Sequence, residues 1–243
     1  MPELTYHHIC IPTNVVRPDE EYNEQFKLYA SGYSQSPYGI EWMRFEPECP
    51  LPEIVKTVPH IGFVVDDLEA ALSDKEVLVA PLNPVDGVTT ATIIYNGSPI
   101  EFLRFDRPES EIWPHELKHR TMQKLTYHHF GVPTSTPRPE DQYMPKYKTY
   151  ASGYLENPYG VEWMRFEPSA PLHELVKTVP HIAFVVDNLE ATIVGKEVLG
   201  EPNSPSKGIT VAMIADNGAP VEFLQFEGPE FEVWPRDAKF RPR

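Results

Sequence analysis

The sequence predicts an α+β protein made of two repeated domains, each assembled from tandem β-α-β-β-β modules. Two observations carry that expectation. Residues 4–114 align to 125–235 at a constant offset (125 − 4 = 121) without a gap, and about six in ten aligned positions are identical. Within one copy, β-branched, strand-like runs alternate with shorter runs of helical spacing. A period this long marks a duplicated domain and not a solenoid. The boundaries read as repeat 1 over 1–114, a linker over 115–124 within the charged, proline-bearing stretch 107–124, and repeat 2 over 125–243.

The elements of one copy follow in order. Residues 6–11 form a β-type run that ends at Pro12. Residues 19–29 have helical spacing (Tyr22, Phe26, Tyr29), with acidic residues in the first turn that suit the helix dipole. Gly32 and Pro37 punctuate the chain before a strand over 40–45. Residues 60–65 are rich in β-branched side chains and predict a strand. Asp66 or Asp67 then caps a helix running to about Lys75, with Leu68 and Leu72 inward. A short strand over 77–80, a strand over 88–95, a turn at Asn96 and Gly97, and a returning strand over 100–105 complete the copy. The second half of each copy is thus a full β-α-β-β-β unit and the first half an abbreviated one.

Composition narrows the function. About two-fifths of the residues are hydrophobic, as in a globular protein, and the formal net charge is −15. Nucleic acid and anionic membrane attract basic surfaces, so neither is expected as a partner. Cys10 and Cys49 fall opposite Gly131 and Ala170 in the other copy, which argues against a disulfide framework and against a thiolate zinc site. No signal-peptide pattern or membrane-length apolar run is present, and a cytoplasmic monomer or homodimer is expected. Nor is there a phosphate-cradling glycine loop, nucleophile elbow or dinucleotide fingerprint.

Four side chains carry chemistry in each copy: His8, Glu41, His60 and Glu101, repeated as His129, Glu162, His181 and Glu222. In each half-copy a histidine opens the first strand and a glutamate stands near the start of the last. Two imidazoles and two carboxylates suit a divalent metal ion, Zn, Ni, Mn, Co or Fe, and leave coordination positions open. Strand alternation places Glu41 on the face of Met43 and Phe45, where an unpartnered carboxylate is expensive to bury. The same alternation sends His7 and His128 to the face opposite His8 and His129, where they would pack or hydrogen-bond. It also aims Arg44 and Arg165 away from Glu41 and Glu162. Tyr6 and Tyr127 are candidates to line a pocket or simply to pack, and Lys56 and Lys177 are read as solvated. His115, His119 and His173 have no histidine counterpart and are set aside.

The stretch Pro59-His-Ile-Gly-Phe-Val-Val-Asp-Asp-Leu-Glu-Ala-Ala-Leu72 resembles the first strand and helix of the vicinal-oxygen-chelate superfamily. That superfamily includes glyoxalase I, methylmalonyl-CoA epimerase, extradiol dioxygenases and the bleomycin- and fosfomycin-resistance proteins. Pro99-Ile-Glu-Phe-Leu-Arg-Phe105 resembles its metal-bearing last strand. The likeness covers the second half of each copy. In the first half it rests on His8 and on Gly39-Ile-Glu-Trp-Met-Arg44, with the middle strands shortened.

The resemblance implies cupped mixed sheets of the glyoxalase/bleomycin-resistance/dioxygenase fold around a divalent metal that chelates adjacent oxygens of a small-molecule substrate. It further implies a glyoxalase-like, metal-dependent lyase, isomerase or epimerase working by metal-stabilised enediolate chemistry. Glu101 and Glu222 are then ligands, and Glu41 and Glu162 bases or fourth ligands. The alternatives are an Fe(II) extradiol-type dioxygenase and a non-catalytic small-molecule binding or resistance protein. A site could close within one copy, or join His8 and Glu41 to His181 and Glu222.

Overall fold

The computed structural model describes residues 3–113 and 125–234. The chain divides into two units, Met1–Gln123 and Lys124–Arg243, and the expected linker at 115–124 lies outside the described residues. Each unit holds one eight-stranded mixed sheet with a few short helices.

In the first unit the elements are β1 (Thr5–Pro12), β2 (Glu21–Asn23), β3 (Leu28–Ser31), β4 (Ile40–Phe45), α1 (Glu53–Thr57), β5 (His60–Val64), α2 (Leu68–Leu72), β6 (Val77–Leu82), β7 (Val88–Tyr95), β8 (Ser98–Phe105) and α3 (Glu109–Ile112). The second unit repeats them as β9 (Thr126–Pro133), β10 (Gln142–Met144), β11 (Thr149–Ser152), β12 (Val161–Phe166), α4 (Glu174–Thr178), β13 (His181–Val185), α5 (Leu189–Ile193), β14 (Glu197–Val198), β15 (Ile209–Asp216), β16 (Ala219–Phe226) and α6 (Glu230–Val233).

The strand order β2-β3-β4-β1-β5-β8-β7-β6 is symmetric about the β1–β5 pair. In each half the first strand lies parallel to the last, and the two intervening strands run outward to the edge. The half-copies therefore share one topology. Only the second half carries a helix, α2, after its first strand. There Asp67 caps the helix by accepting from the Ala70 N–H at 3.0 Å. One face of the central strands buries Ile9, Ile61, Phe63, Ile100 and Phe102, and the helices add Val55, Leu68 and Ala71 to the core. Full burial of each such aliphatic or aromatic side chain contributes roughly 1.5–3 kcal/mol.

Two expectations are overturned. Residues 19–29 do not form a helix but hold the hairpin of β2 and β3. The seven-residue spacing of Tyr22 and Tyr29, which a helix would place on one face, is here a directly opposed cross-strand pair with ring centroids 4.7 Å apart. The turn between them is set by Asn23, whose side-chain oxygen accepts from the Phe26 N–H, and by Lys27 at φ 52°.

His7, secondly, does not face away from His8. The β1–β5 register slips between Tyr6 and His8, and the equivalent slip recurs in the second unit. A bulge of this kind resets the alternation by one residue. Both histidines of each pair are consequently buried together. Among the described residues, no helix is long and apolar enough to cross a membrane.

Candidate metal centre

The four candidate side chains of the first unit come from its four central strands: Glu41 on β4, His8 on β1, His60 on β5 and Glu101 on β8. Register arranges them in two rows. Gly62 stands opposite both His8 and Glu101, while Cys10 stands opposite both Glu41 and His60. In the second unit Ala183 lies between His129 and Glu222, and Gly131 between Glu162 and His181. Each row is thus a candidate residue, a small residue, and a candidate residue, the two rows two positions apart along strands whose side chains alternate faces.

The polar atoms converge within each unit. His8 Nε2 lies 3.3 Å from Glu101 Oε2, and His60 Nε2 lies 3.9 Å from the same oxygen. In the second unit His129 Nε2 is 3.1 Å from Glu222 Oε2 and 3.1 Å from His181 Nε2, and His181 Nε2 is 3.5 Å from Glu222 Oε2. His8, His60 and Glu101 form one compact group of possible ligands, and His129, His181 and Glu222 the other. Glu41 and Glu162 stand at the edge of these groups, 3.9 Å from His8 and 3.7 Å from His129. Each set closes within its own copy.

Electrostatics separates the carboxylates. Burial pushes Glu222 up, but the flanking imidazoles of His129 and His181 outweigh it and hold the group far below the usual carboxylate range. Glu101 is lowered in the same way, burial being outweighed by His8 and by the further charges of His60 and His7. Glu162, by contrast, is raised, because burial exceeds the pull of His129 and His181 and the Glu222 charge adds to it. Two carboxylates of one site with affinities pushed apart fit one anionic ligand and one proton acceptor. Burial also lowers the His60 imidazole to about 4, Glu101 opposing and His8 assisting.

The residues fit a metal ion. Ligand atoms at the usual 2.0–2.2 Å from a tetrahedral or octahedral divalent ion stand roughly 3.0–3.5 Å apart. The N···O and N···N separations here, 3.1–3.9 Å, overlap that edge length, with only His60–Glu101 at 3.9 Å beyond it. Beside the first site lies a cavity of about 270 Å³ whose walls include His8, Glu41, Glu101, Met43, Tyr33 and Trp113.

The sequence missed a layer behind the candidate ligands. His7 Nδ1 and His8 Nδ1 are 2.8 Å apart, His7 Nε2 is 2.9 Å from the Tyr33 hydroxyl, and Tyr33 donates to Glu109 Oε1 at 2.6 Å. Tyr33 follows Gly32, whose φ of 91° allows the turn that swings the ring under His7. Phe105 and Trp113 enclose the His7 ring. The same residues recur as His128, Tyr154, Glu230, Phe226 and Trp234. The signal available was the persistence of Tyr33, Glu109 and Trp113 in both copies; only the bulge reveals its use.

The remaining candidates are structural. Tyr6 and Tyr127 donate to the Tyr38 and Tyr159 carbonyl oxygens, both at 2.6 Å. Arg44 forks onto Glu20 and stacks on Tyr29, and Arg165 binds Asp141 and stacks on Tyr150. Lys56 and Lys177 pair with Glu53 and Glu174 one turn away. His173 caps α4 through Nδ1. His115 and His119 lie outside the described residues.

Fold and site together define a protein of two mixed-sheet units, each with an inward cluster of histidine and glutamate. The fold is similar to that of a variant of 4-hydroxymandelate synthase from Streptomyces coelicolor, a dioxygenase-fold enzyme, with a TM-score of 0.50. The likeness covers 94% of this chain and 94% of that one, and at 13% identity it shows the fold alone. A hypothetical protein from Staphylococcus aureus (13% identity, 92% and 100% covered, TM-score 0.41) and one from Bacillus halodurans C-125 (18%, 70% and 94%, 0.21) overlay too loosely to inform the fold. No family model and no curated protein matches the sequence.

Proposed function

We propose that the protein is a divalent-metal-dependent enzyme with one site per unit, acting on a small oxygenated substrate by proton transfer beside a carbonyl, as a lyase, isomerase or epimerase. The observation that carries the reading is the duplicated convergence of two imidazoles and a carboxylate at separations that match a coordination edge. His8, His60 and Glu101 hold the ion in the first unit, and His129, His181 and Glu222 in the second. A bound divalent cation would supply Lewis-acid stabilisation of negative charge on the substrate oxygens. Glu41 and Glu162, beside the ligands but outside the compact groups, take the proton from the carbon next to the carbonyl and return it. The raised proton affinity of Glu162 supports that division of roles.

A second reading has a specific observation in its favour. Two histidines with one carboxylate are also the set that holds Fe(II) in oxygenases, and the solved structure of similar fold is named as a synthase of 4-hydroxymandelate.

Elemental analysis of protein purified without chelator or histidine tag is the test. About two divalent ions per chain are expected, with both lost in the His60→Ala/His181→Ala variant. Glu41→Gln with Glu162→Gln is expected to keep the metal and lose exchange of the α-proton of hydroxycarbonyl compounds with solvent deuterium. Oxygen consumption with the iron-loaded protein would instead select the second reading. A chain that takes up none of Zn, Ni, Mn, Co or Fe would sink both and leave a binding module.

A further inference from the structure

We propose that His7, Tyr33 and Glu109, with their counterparts His128, Tyr154 and Glu230, are positioning residues that fix the tautomer of His8 and His129. They form a hydrogen-bonded chain from the rim of each site to one ligand candidate. Its links measure 2.8, 2.9 and 2.6 Å in the first unit and 2.7, 2.8 and 2.7 Å in the second.

Donor counting sets the direction. At neutral pH the Glu109 carboxylate at the partly exposed end accepts only, so the single Tyr33 hydroxyl hydrogen points to it. The Tyr33 oxygen must then accept, and the proton of a neutral His7 ring sits on Nε2. His7 Nδ1, stripped of hydrogen, faces His8 Nδ1 at 2.8 Å, so His8 carries its proton on Nδ1. The Nε2 lone pair of His8 is left facing Glu101 Oε2 at 3.3 Å, and that of His129 faces Glu222 at 3.1 Å. Two acceptors at that distance repel unless a cation lies between them.

His60 and His181 offer the contrast. Their Nδ1 atoms are buried without a hydrogen-bond partner, so only one imidazole in each site is oriented from behind. Groups behind a ligand that hold its tautomer and ring plane characteristically change metal affinity about 10- to 100-fold when altered. The use made of the His8 lone pair rests on the metal reading above; the tautomer assignment does not.

The experiment is a long-range ¹H–¹⁵N spectrum of the imidazoles in the full chain, metal-free and with Zn²⁺, joined to a chelator-competition measurement of Zn²⁺ affinity. The metal-free wild type is expected to carry a proton on His8 Nδ1 and none on His7 Nδ1. Glu109→Leu removes the acceptor and leaves the Tyr33 hydrogen to turn to His7 Nε2. It is expected to turn the chain around, placing the His7 proton on Nδ1, and to weaken the first site about 10- to 100-fold while the second site, as internal control, is unchanged. Tyr33→Phe is expected to lose less, since His7 Nε2 stays 3.3 Å from Glu109.

A proton on His7 Nδ1 in the wild type overturns the proposal whatever the metal does. So does a Glu109→Leu variant with unaltered tautomers and affinity. If the tautomers are as expected but no Zn²⁺ binds, the metal reading fails and the relay stands.

Discussion

Two small residues decide how the imidazoles sit. A Cβ added to Gly62 would come within 2.3 Å of His8 Cε1, and one added to Gly131 within 2.0 Å of His181 Cε1. Each unit therefore keeps one glycine beneath one histidine, but not beneath the same one: Cys10 replaces the glycine in the first unit and Ala183 in the second. The rings differ accordingly, with centroids 5.7 Å apart for His8 and His60 and 5.2 Å for His129 and His181. Gly131→Cys, which copies the first unit into the second, is expected to displace His181 and weaken metal binding there by on the order of tenfold or more. Adding Ala183→Gly, which completes the copy, should restore much of it. Equal affinity of the single variant and the wild type in the same chelator competition would show that the ring has another place to go.

At the scale of elements, the hairpin of β2 and β3 shows what a periodicity argument misses. Tyr22, Phe26 and Tyr29 satisfy helical spacing, yet an Asx-type turn at Asn23 and left-handed backbone at Lys27 reverse the chain between them. Side-chain pattern is compatible with both structures; turn chemistry chooses one. Asn23→Ala should thus destabilise the unit by about 1 kcal/mol through loss of the turn hydrogen bond, measured by urea unfolding. An unchanged midpoint would argue against the turn. The bulge in β1 has the same character. It adds one residue between Tyr6 and His8 and converts His7 from an outward side chain into the group behind His8.

For the whole molecule, burying titratable groups at the centre of each sheet links stability to pH. His60 has a folded value near 4 against about 6.5 in the unfolded chain. Between those values the unfolded state binds a proton that the folded state does not, so stability falls as pH falls from about 6.5 to 4, by up to roughly 3 kcal/mol. Glu101 and Glu222 are lowered, and the stability they add above their unfolded values is lost as pH drops further. Metal-free protein should therefore show a urea midpoint that declines steadily below pH 6.5. The His60→Gln variant should be flatter between 6.5 and 4. A profile level to pH 4 in the wild type would contradict the burial of that ring.

The sequence by itself determined the duplication and most of the strands, narrowed the α2 cap to Asp66 or Asp67, and singled out the eight candidates His8, Glu41, His60, Glu101, His129, Glu162, His181 and Glu222. These are local or repeated signals, written in spacing, alternation and the recurrence of residue types. Tertiary structure alone decided that each set closes within one copy, because the first and last strands of both half-copies become the four neighbouring strands at the centre of one sheet. It alone decided that Glu41 and Glu162 stand apart from the compact groups, and that His7, Tyr33 and Glu109 line up behind His8. The reason is physical: register, bulges and convergence arise from hydrogen bonding between strands far apart in the chain, and no window of residues contains them.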